Sequence, residues 1–305
     1  MFASKVHTAL RILLAIDGSE HSLAGAELIR NLPLAAGSQI MAMAVLTPRH
    51  TPGRAALQSA LDKTQTILNM PTARVDTGFL HGHPAEELAR FADDNKPDLV
   101  VVGAQGLRAT LGILLGGVAQ QVVEYARWPV LIVRVGHTRT SRVLLAIDGS
   151  SSSKSAIDFV ARFPLPTDAS LEVLHVLPPL PSPSDAAHVW PIMGGEVPPI
   201  AVQVPEDEAL ARAASIEEQQ GQALVDEAVE SLRASGIMTT AALQRGDAAT
   251  ETLARSKDHG ADLIVVGSRG LSAIRGWWLG SVSRKLVHYA LCSVLVVRSA
   301  HEAIP

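Results

Sequence analysis

A single cysteine, Cys292, stands in the 305 residues, so no disulfide can close within the chain, and a reduced, cytoplasmic setting is the expectation. Basic residues are not in excess: 26 Lys and Arg face 30 Asp and Glu, for a net charge of −4. That balance argues against a general nucleic-acid binder, which needs a basic face, but leaves room for a local patch that receives phosphates. No apolar run approaches membrane-spanning length. The segment from Ala9 to Ile16 is broken by Arg11 and ends at Asp17, and so reads as a strand rather than a signal peptide. The chain holds neither G-x-x-x-x-G-K-[ST] nor G-x-G-x-x-G, and it has no nucleophile elbow or metal triad. Neither nucleic acid nor a membrane is an expected partner.

The composition is otherwise that of a globular protein, with 47% apolar and 18% charged residues and only 4% aromatic ones. Its length suits two domains of ordinary size. An internal repeat sets the organisation. Leu13-Leu14-Ala15-Ile16-Asp17-Gly18-Ser19 recurs letter for letter as Leu144-Leu145-Ala146-Ile147-Asp148-Gly149-Ser150. Asp98 to Gly103 recurs as Asp262 to Gly267, and Pro129 to Arg134 as Ser293 to Arg298. The offset is 131 at the first pair and 164 at the others, so the second half carries 164 − 131 = 33 extra residues in its middle. The expected domains are 1–137 and 138–305, with a Pro-rich insertion from Pro178 to Pro205 that is read as an exposed loop, a lid or a partner surface.

In each half, apolar strand patterns alternate with helical ones, which predicts an α/β fold with right-handed crossovers. Strands are expected over Leu10–Ile16, Gln39–Leu46, Arg74–Leu80, Leu99–Val102 and Val130–Val135, and helices over Ser22–Leu32, Ala55–Leu68, Ala85–Asn95 and Val118–Ala126. The second half repeats this pattern, with a long amphipathic helix from Glu206 to Ser235.

One stretch carries most of the chemistry. The buried-strand pattern Leu263 to Val266 runs into Gly267-Ser268-Arg269-Gly270, then nine residues, then Gly280-Ser281-Val282-Ser283 at the start of a helix. A strand, a glycine-punctuated loop and a helix start let backbone N–H groups converge on an anion. The pattern G-x-x-G, nine residues, G-S resembles the ATP-binding signature of the universal stress protein family, and the tandem duplication resembles that family's two-domain members. The first half keeps the spacing as Gly103-Ala104-Gln105-Gly106 and Gly116-Gly117-Val118-Ala119 but replaces both serines and the arginine.

The resemblance implies two tandem doubly wound parallel five-stranded sheets, each in strand order 3-2-1-4-5, paired as a pseudo-dimer through their fifth strands. In that order Asp17 and Gly103 meet across the switch-point crevice, as do Asp148 and Gly267. ATP, with magnesium, is the implied cofactor. The implied second-half contacts are Asp148 and Val176 for the nucleoside and Gly267, Gly270, Gly280, Ser281, Val282 and Ser283 for the phosphates. Their first-half counterparts are Asp17, Val45, Gly103, Gly106, Gly116 and Gly117. The implied function is a nucleotide-dependent regulator in stress response with an unknown protein partner, assembled as a homo-oligomer or as an intramolecular pseudo-dimer; a slow ATPase and a nucleotide-independent scaffold stand as alternatives. Losing two hydroxyls predicts weaker binding in the first half, by about tenfold or more.

Several residues have a plainer reading beside the functional one. Asp17 and Asp148 also suit turn aspartates that bind their own backbone. Arg269 and Arg275 suit either phosphate neutralisation or a solvated loop. Trp277 and Trp278 suit packing or a dimer contact, and His175 a satisfied histidine at a strand end. His81 and His83 have no further metal ligand close in sequence, and Cys292 reads as an inert packing residue.

Overall fold

A computed structural model describes residues 8–47, 53–106, 115–180, 206–271 and 279–299. Most of the insertion, residues 181–205, lies outside them, as do Arg275, Trp277 and Trp278. The first half runs β1 (Arg11–Ile16), α1 (Glu20–Asn31), β2 (Ser38–Leu46), α2 (Arg54–Ile67), β3 (Ala73–His81), α3 (Pro84–Asn95), β4 (Leu99–Gly103), α4 (Gly117–Tyr125) and β5 (Val130–Val133). The second runs β6 (Arg142–Ile147), α5 (Ser151–Arg162), β7 (Ser170–Leu177), α6 (Glu206–Ala234), β8 (Met238–Arg245), α7 (Ala248–Asp258), β9 (Leu263–Gly267), α8 (Ser281–Tyr289) and β10 (Ser293–Val297).

The strands form one ten-stranded sheet in the order β3-β2-β1-β4-β5-β10-β9-β6-β7-β8. Each half has the order 3-2-1-4-5, all parallel. The two five-stranded halves join through their fifth strands, as the resemblance implies. The fifth strands pair antiparallel, with Ile132 opposite Val294 and Val130 opposite Val296. The pairing leaves neither fifth strand with an open edge.

Side chains alternate across the sheet and feed two cores. Ile12 and Leu14 point to the face covered by α1, α2, α5 and α6, where Leu28, Leu61, Phe159 and Val225 are buried. Leu13 points to the other face, which Leu88 of α3, Val123 of α4 and Val287 of α8 close. Central strands are buried on both faces, hence their near-continuous Leu, Ile and Val. Crossovers on both sides of β1 and β6 leave a crevice at the carboxyl ends of β1 and β4, and again at those of β6 and β9.

Candidate functional site

Each crevice is built from two turns clipped together. Asp17 follows β1, and its Oδ1 accepts the Ser19 N–H at 2.9 Å; Asp148 follows β6, and its Oδ1 accepts the Ser150 N–H at 3.0 Å. The two serines are the N-caps of α1 and α5, accepting from Ser22 N and Ser153 N at 3.2 Å. Each also donates its hydroxyl across the crevice, Ser19 to the Gln105 carbonyl and Ser150 to the Arg269 carbonyl, both at 3.1 Å. One serine therefore ends a helix and holds the glycine loop. Neither was among the expected site residues, although the duplicated Asp-Gly-Ser marked both.

The glycines divide by role. A Cβ on Gly267 would stand 2.8 Å from the backbone carbon of Ser152, and one on Gly103 would stand 2.8 Å from that of His21. These two glycines let the first turn of a helix pack on the strand end. A Cβ on Gly270 would stand 2.6 Å from Asp148 Oδ2, and one on Gly106 would stand 2.7 Å from Asp17 Oδ2. Asp148 Oδ2 also accepts the Leu271 N–H at 3.2 Å. The turn role of both aspartates is therefore present, and the facing of aspartate and glycine loop is close enough to exclude a methyl group.

After the loop the chain returns through Gly280, whose N–H donates to the Ser268 carbonyl at 2.8 Å, and in the first half through Gly116, which donates to the Ala104 carbonyl at 2.7 Å. Gly280 and Gly116 are the N-caps of α8 and α4, and no side chain caps either helix. Neither helix has an acidic residue in its first turn. The leading N–H groups, which helix geometry leaves without a carbonyl, face the crevice end of the helix dipole.

The two serines of α8 differ. Ser281 is exposed. Ser283 is 3% exposed, and its hydroxyl donates to the Gly267 carbonyl at 2.6 Å, tying α8 to the end of β9. It is a structural tether and not a free donor for a phosphate. Ala119, its counterpart, is also buried. Of the two serine hydroxyls, that of Ser281 alone is lost from the first-half crevice, at Gly117, where a Cβ would meet nothing within 4 Å. Arg269 adds a donor that sequence left undecided: its Nε is buried and has no acceptor among the described residues.

Val45 and Val176 lie at the ends of β2 and β7, partly buried against the second core together with Val282. His175 points to the opposite face and bonds the Ile147 carbonyl through Nδ1 at 2.9 Å, the satisfied strand-end histidine of the plain reading. A Cβ on Gly221 of α6 would stand 3.1 Å from the His175 ring, so the ring occupies the space that glycine leaves. In the first half the corresponding pair is Ala44 and Leu57. There, a cavity of about 140 Å³ opens beside Asp17, walled by Ala56, Ser59, Ala60 and Lys63 of α2. Among the described residues no three His, Cys, Asp or Glu side chains gather to hold a metal, around His81 and His83 or elsewhere. Cys292 is buried, and burial pushes its thiol up to about 11.

Fold and site together define a class: a duplicated, doubly wound α/β protein with a glycine-loop crevice at each switch point. The profile of the universal stress protein family matches residues 9–134 and again 140–298. The chain belongs to that family and is of its tandem type. Among curated relatives, universal stress protein YxiE of Bacillus subtilis is 32% identical over 158 residues, 52% of this chain and 99% of its own length. A universal stress protein of Mycolicibacterium smegmatis is 31% identical over 219 residues, 70% of this chain and 66% of its own. Among solved structures, a universal stress protein from Archaeoglobus fulgidus superposes with a TM-score of 0.62 at 20% identity, covering 95% of this chain and 98% of its own, a likeness of fold. No helix among the described residues is long and apolar enough to cross a membrane.

Proposed function

We propose that this universal stress protein binds ATP and acts as a nucleotide-dependent regulator, with the stronger site in its second half. The observation that carries the reading is the start of α8: an uncapped glycine N-cap, an exposed Ser281 hydroxyl and no acidic side chain in the first turn. Backbone N–H groups at such a start favour a phosphate, and the charge-free first turn leaves the positive end of the dipole unopposed. The Arg269 Nε on the facing loop, without an acceptor among the described residues, is a further donor for a phosphate. Asp148, with Oδ1 and Oδ2 already holding the two turns together, presents its remaining lone pairs to a ribose.

Magnesium would be held by the phosphates of the nucleotide it enters with, since no acidic cluster is grouped for it among the described residues. Among the described residues no side chain is marked to position an attacking water, and binding rather than turnover is the activity proposed. Homo-oligomers, a cytoplasmic setting and the 137/138 domain boundary belong to the same proposal.

The test is the adenine nucleotide released on denaturing the purified protein, and its binding constant on adding ATP and magnesium. Ser281→Ala should weaken binding about three- to tenfold, the worth of one hydrogen bond to a charged group with partial replacement by water. Absence of binding by the wild type overturns the proposal and leaves a nucleotide-independent scaffold.

A further inference from the structure

Two strands beyond β6, on β8, the second half carries a polar side chain that the first half lacks. Gln244, near the carboxyl end of β8, is in register with Val176 of β7; Leu80 holds the same place in the first half, in register with Val45. Register partners on parallel strands, and residues two apart on one strand, share a face. Gln244 therefore stands with Val176 and Ala242 on the face covered by α7 and α8, where both pack on the second core beside Val282. Its Oε1 is buried and accepts no hydrogen bond among the described residues. An apolar leucine serves at the equivalent position, so the amide is not required to complete the sheet. A buried carbonyl oxygen without a donor calls for an explanation, and a ligand that brings one supplies it.

The topology says which part of a ligand that is. From β9 the sheet continues through β6 and β7 to β8. At about 4.8 Å per strand, Gln244 lies roughly 14 Å from the β9 end. A nucleotide whose phosphates meet the first turn of α8 passes its sugar over Asp148 and directs its base along the apolar strip of Val282 and Val176 toward β8. Gln244 is half-buried, and the last torsion of a glutamine is broad and two-fold, so its carbonyl turns readily toward the crevice.

We propose that Gln244 reads the base in the second-half crevice, its amide oxygen accepting the exocyclic amino group of a 6-aminopurine. The inference rests on the nucleotide reading above and adds a selectivity that the first half, with Leu80, does not share.

The experiment measures binding of ATP and of purine riboside triphosphate, which lacks the amino group, to the full chain at its tighter site. The wild type should prefer ATP about three- to tenfold, the range of one neutral hydrogen bond. Gln244→Leu, which installs the first-half residue, should abolish that preference while leaving the unfolding midpoint unchanged or higher. Equal binding of the two nucleotides by the wild type, or an undiminished preference in the variant, overturns the assignment. Failure of the wild type to bind either one overturns the nucleotide reading itself, a separate result.

Discussion

Arg134 and Arg298 occupy equivalent positions after the fifth strands, and each reaches across the domain junction to end the other half's site helix. Arg134 Nη2 donates to the Val287 carbonyl of α8 at 2.8 Å. Arg298 Nη2 donates to the Val123 and Glu124 carbonyls of α4 at 2.9 and 2.7 Å. The last carbonyls of a helix lack intrahelical partners, and a cation there is favoured by the dipole. The two helices that open at the crevices are thus closed at their far ends by the opposite domain. Arg134 is only 5% exposed, so its partner carbonyl would be left without water as well. Arg134→Met is expected to cost about 2–3 kcal/mol in urea unfolding, with a smaller loss for Arg298→Met. An unchanged midpoint for Arg134→Met would show that the cross-domain bond contributes nothing.

Glu172 on β7 is buried and holds Arg255 of α7 through two hydrogen bonds, at 2.7 and 2.5 Å. The Arg255 hydrogen bond holds the Glu172 carboxyl below its usual 4.5. A depressed carboxylate adds stability that is complete above its unfolded value and is lost as pH falls through the folded one. The acid limb of the stability profile should therefore steepen below about pH 4.5. Met41 and Phe91 replace this pair in the first half. Glu172→Met with Arg255→Phe should be near neutral at pH 7 and flatten the acid limb. Arg255→Ala alone should cost about 2 kcal/mol, discounted because Arg255 is a third exposed.

Ser283→Ala separates structure from binding. Losing the bond to the Gly267 carbonyl should cost about 1 kcal/mol of stability with little change in ATP affinity, the reverse of Ser281→Ala. With the Ser283 hydroxyl engaged by Gly267, the serine hydroxyl whose loss bears on the first-half crevice is that of Ser281, replaced by Gly117. Gly117→Ser, placed where a side chain meets open space, should strengthen first-half binding about three- to tenfold in nucleotide titrations.

Gly270→Ala would push a methyl group to 2.6 Å from Asp148 Oδ2. It should dislodge the loop, cost about 1–3 kcal/mol in thermal or chemical unfolding, and remove nucleotide from the second half. Retention of both stability and binding would show that the loop adapts around the aspartate.

Gly221 and His175 form a size-matched pair, since a Cβ on Gly221 would stand 2.9 Å from Leu177 and 3.1 Å from the histidine ring. Gly221→Leu should destabilise by about 1–3 kcal/mol, and the added His175→Ala, which recreates the Ala44–Leu57 pairing, should recover most of it. Purely additive losses in a double-mutant cycle would disprove the pairing.

The linear chain determined the elements, the duplication and the crevice motifs. Apolar runs covered on both faces, helical periodicity and repeated Asp-Gly-Ser and glycine loops are local patterns, and local patterns survive in one dimension. Strand order, by contrast, came by resemblance, and its agreement with the observed sheet rests on that. Tertiary structure alone decided which hydroxyl is available, because Ser281 and Ser283 are two residues apart and only the turn of α8 sends one out and the other under β9. It also set the antiparallel register of the fifth strands and carried Arg134 and Arg298 into the opposite domain. It left Arg269 Nε and Gln244 Oε1 buried without partners among the described residues as well. Each of these depends on which groups meet across the fold, from 16 residues apart for Ser283 and Gly267 to 175 for Arg298 and Val123, a relation that no residue's own neighbours encode.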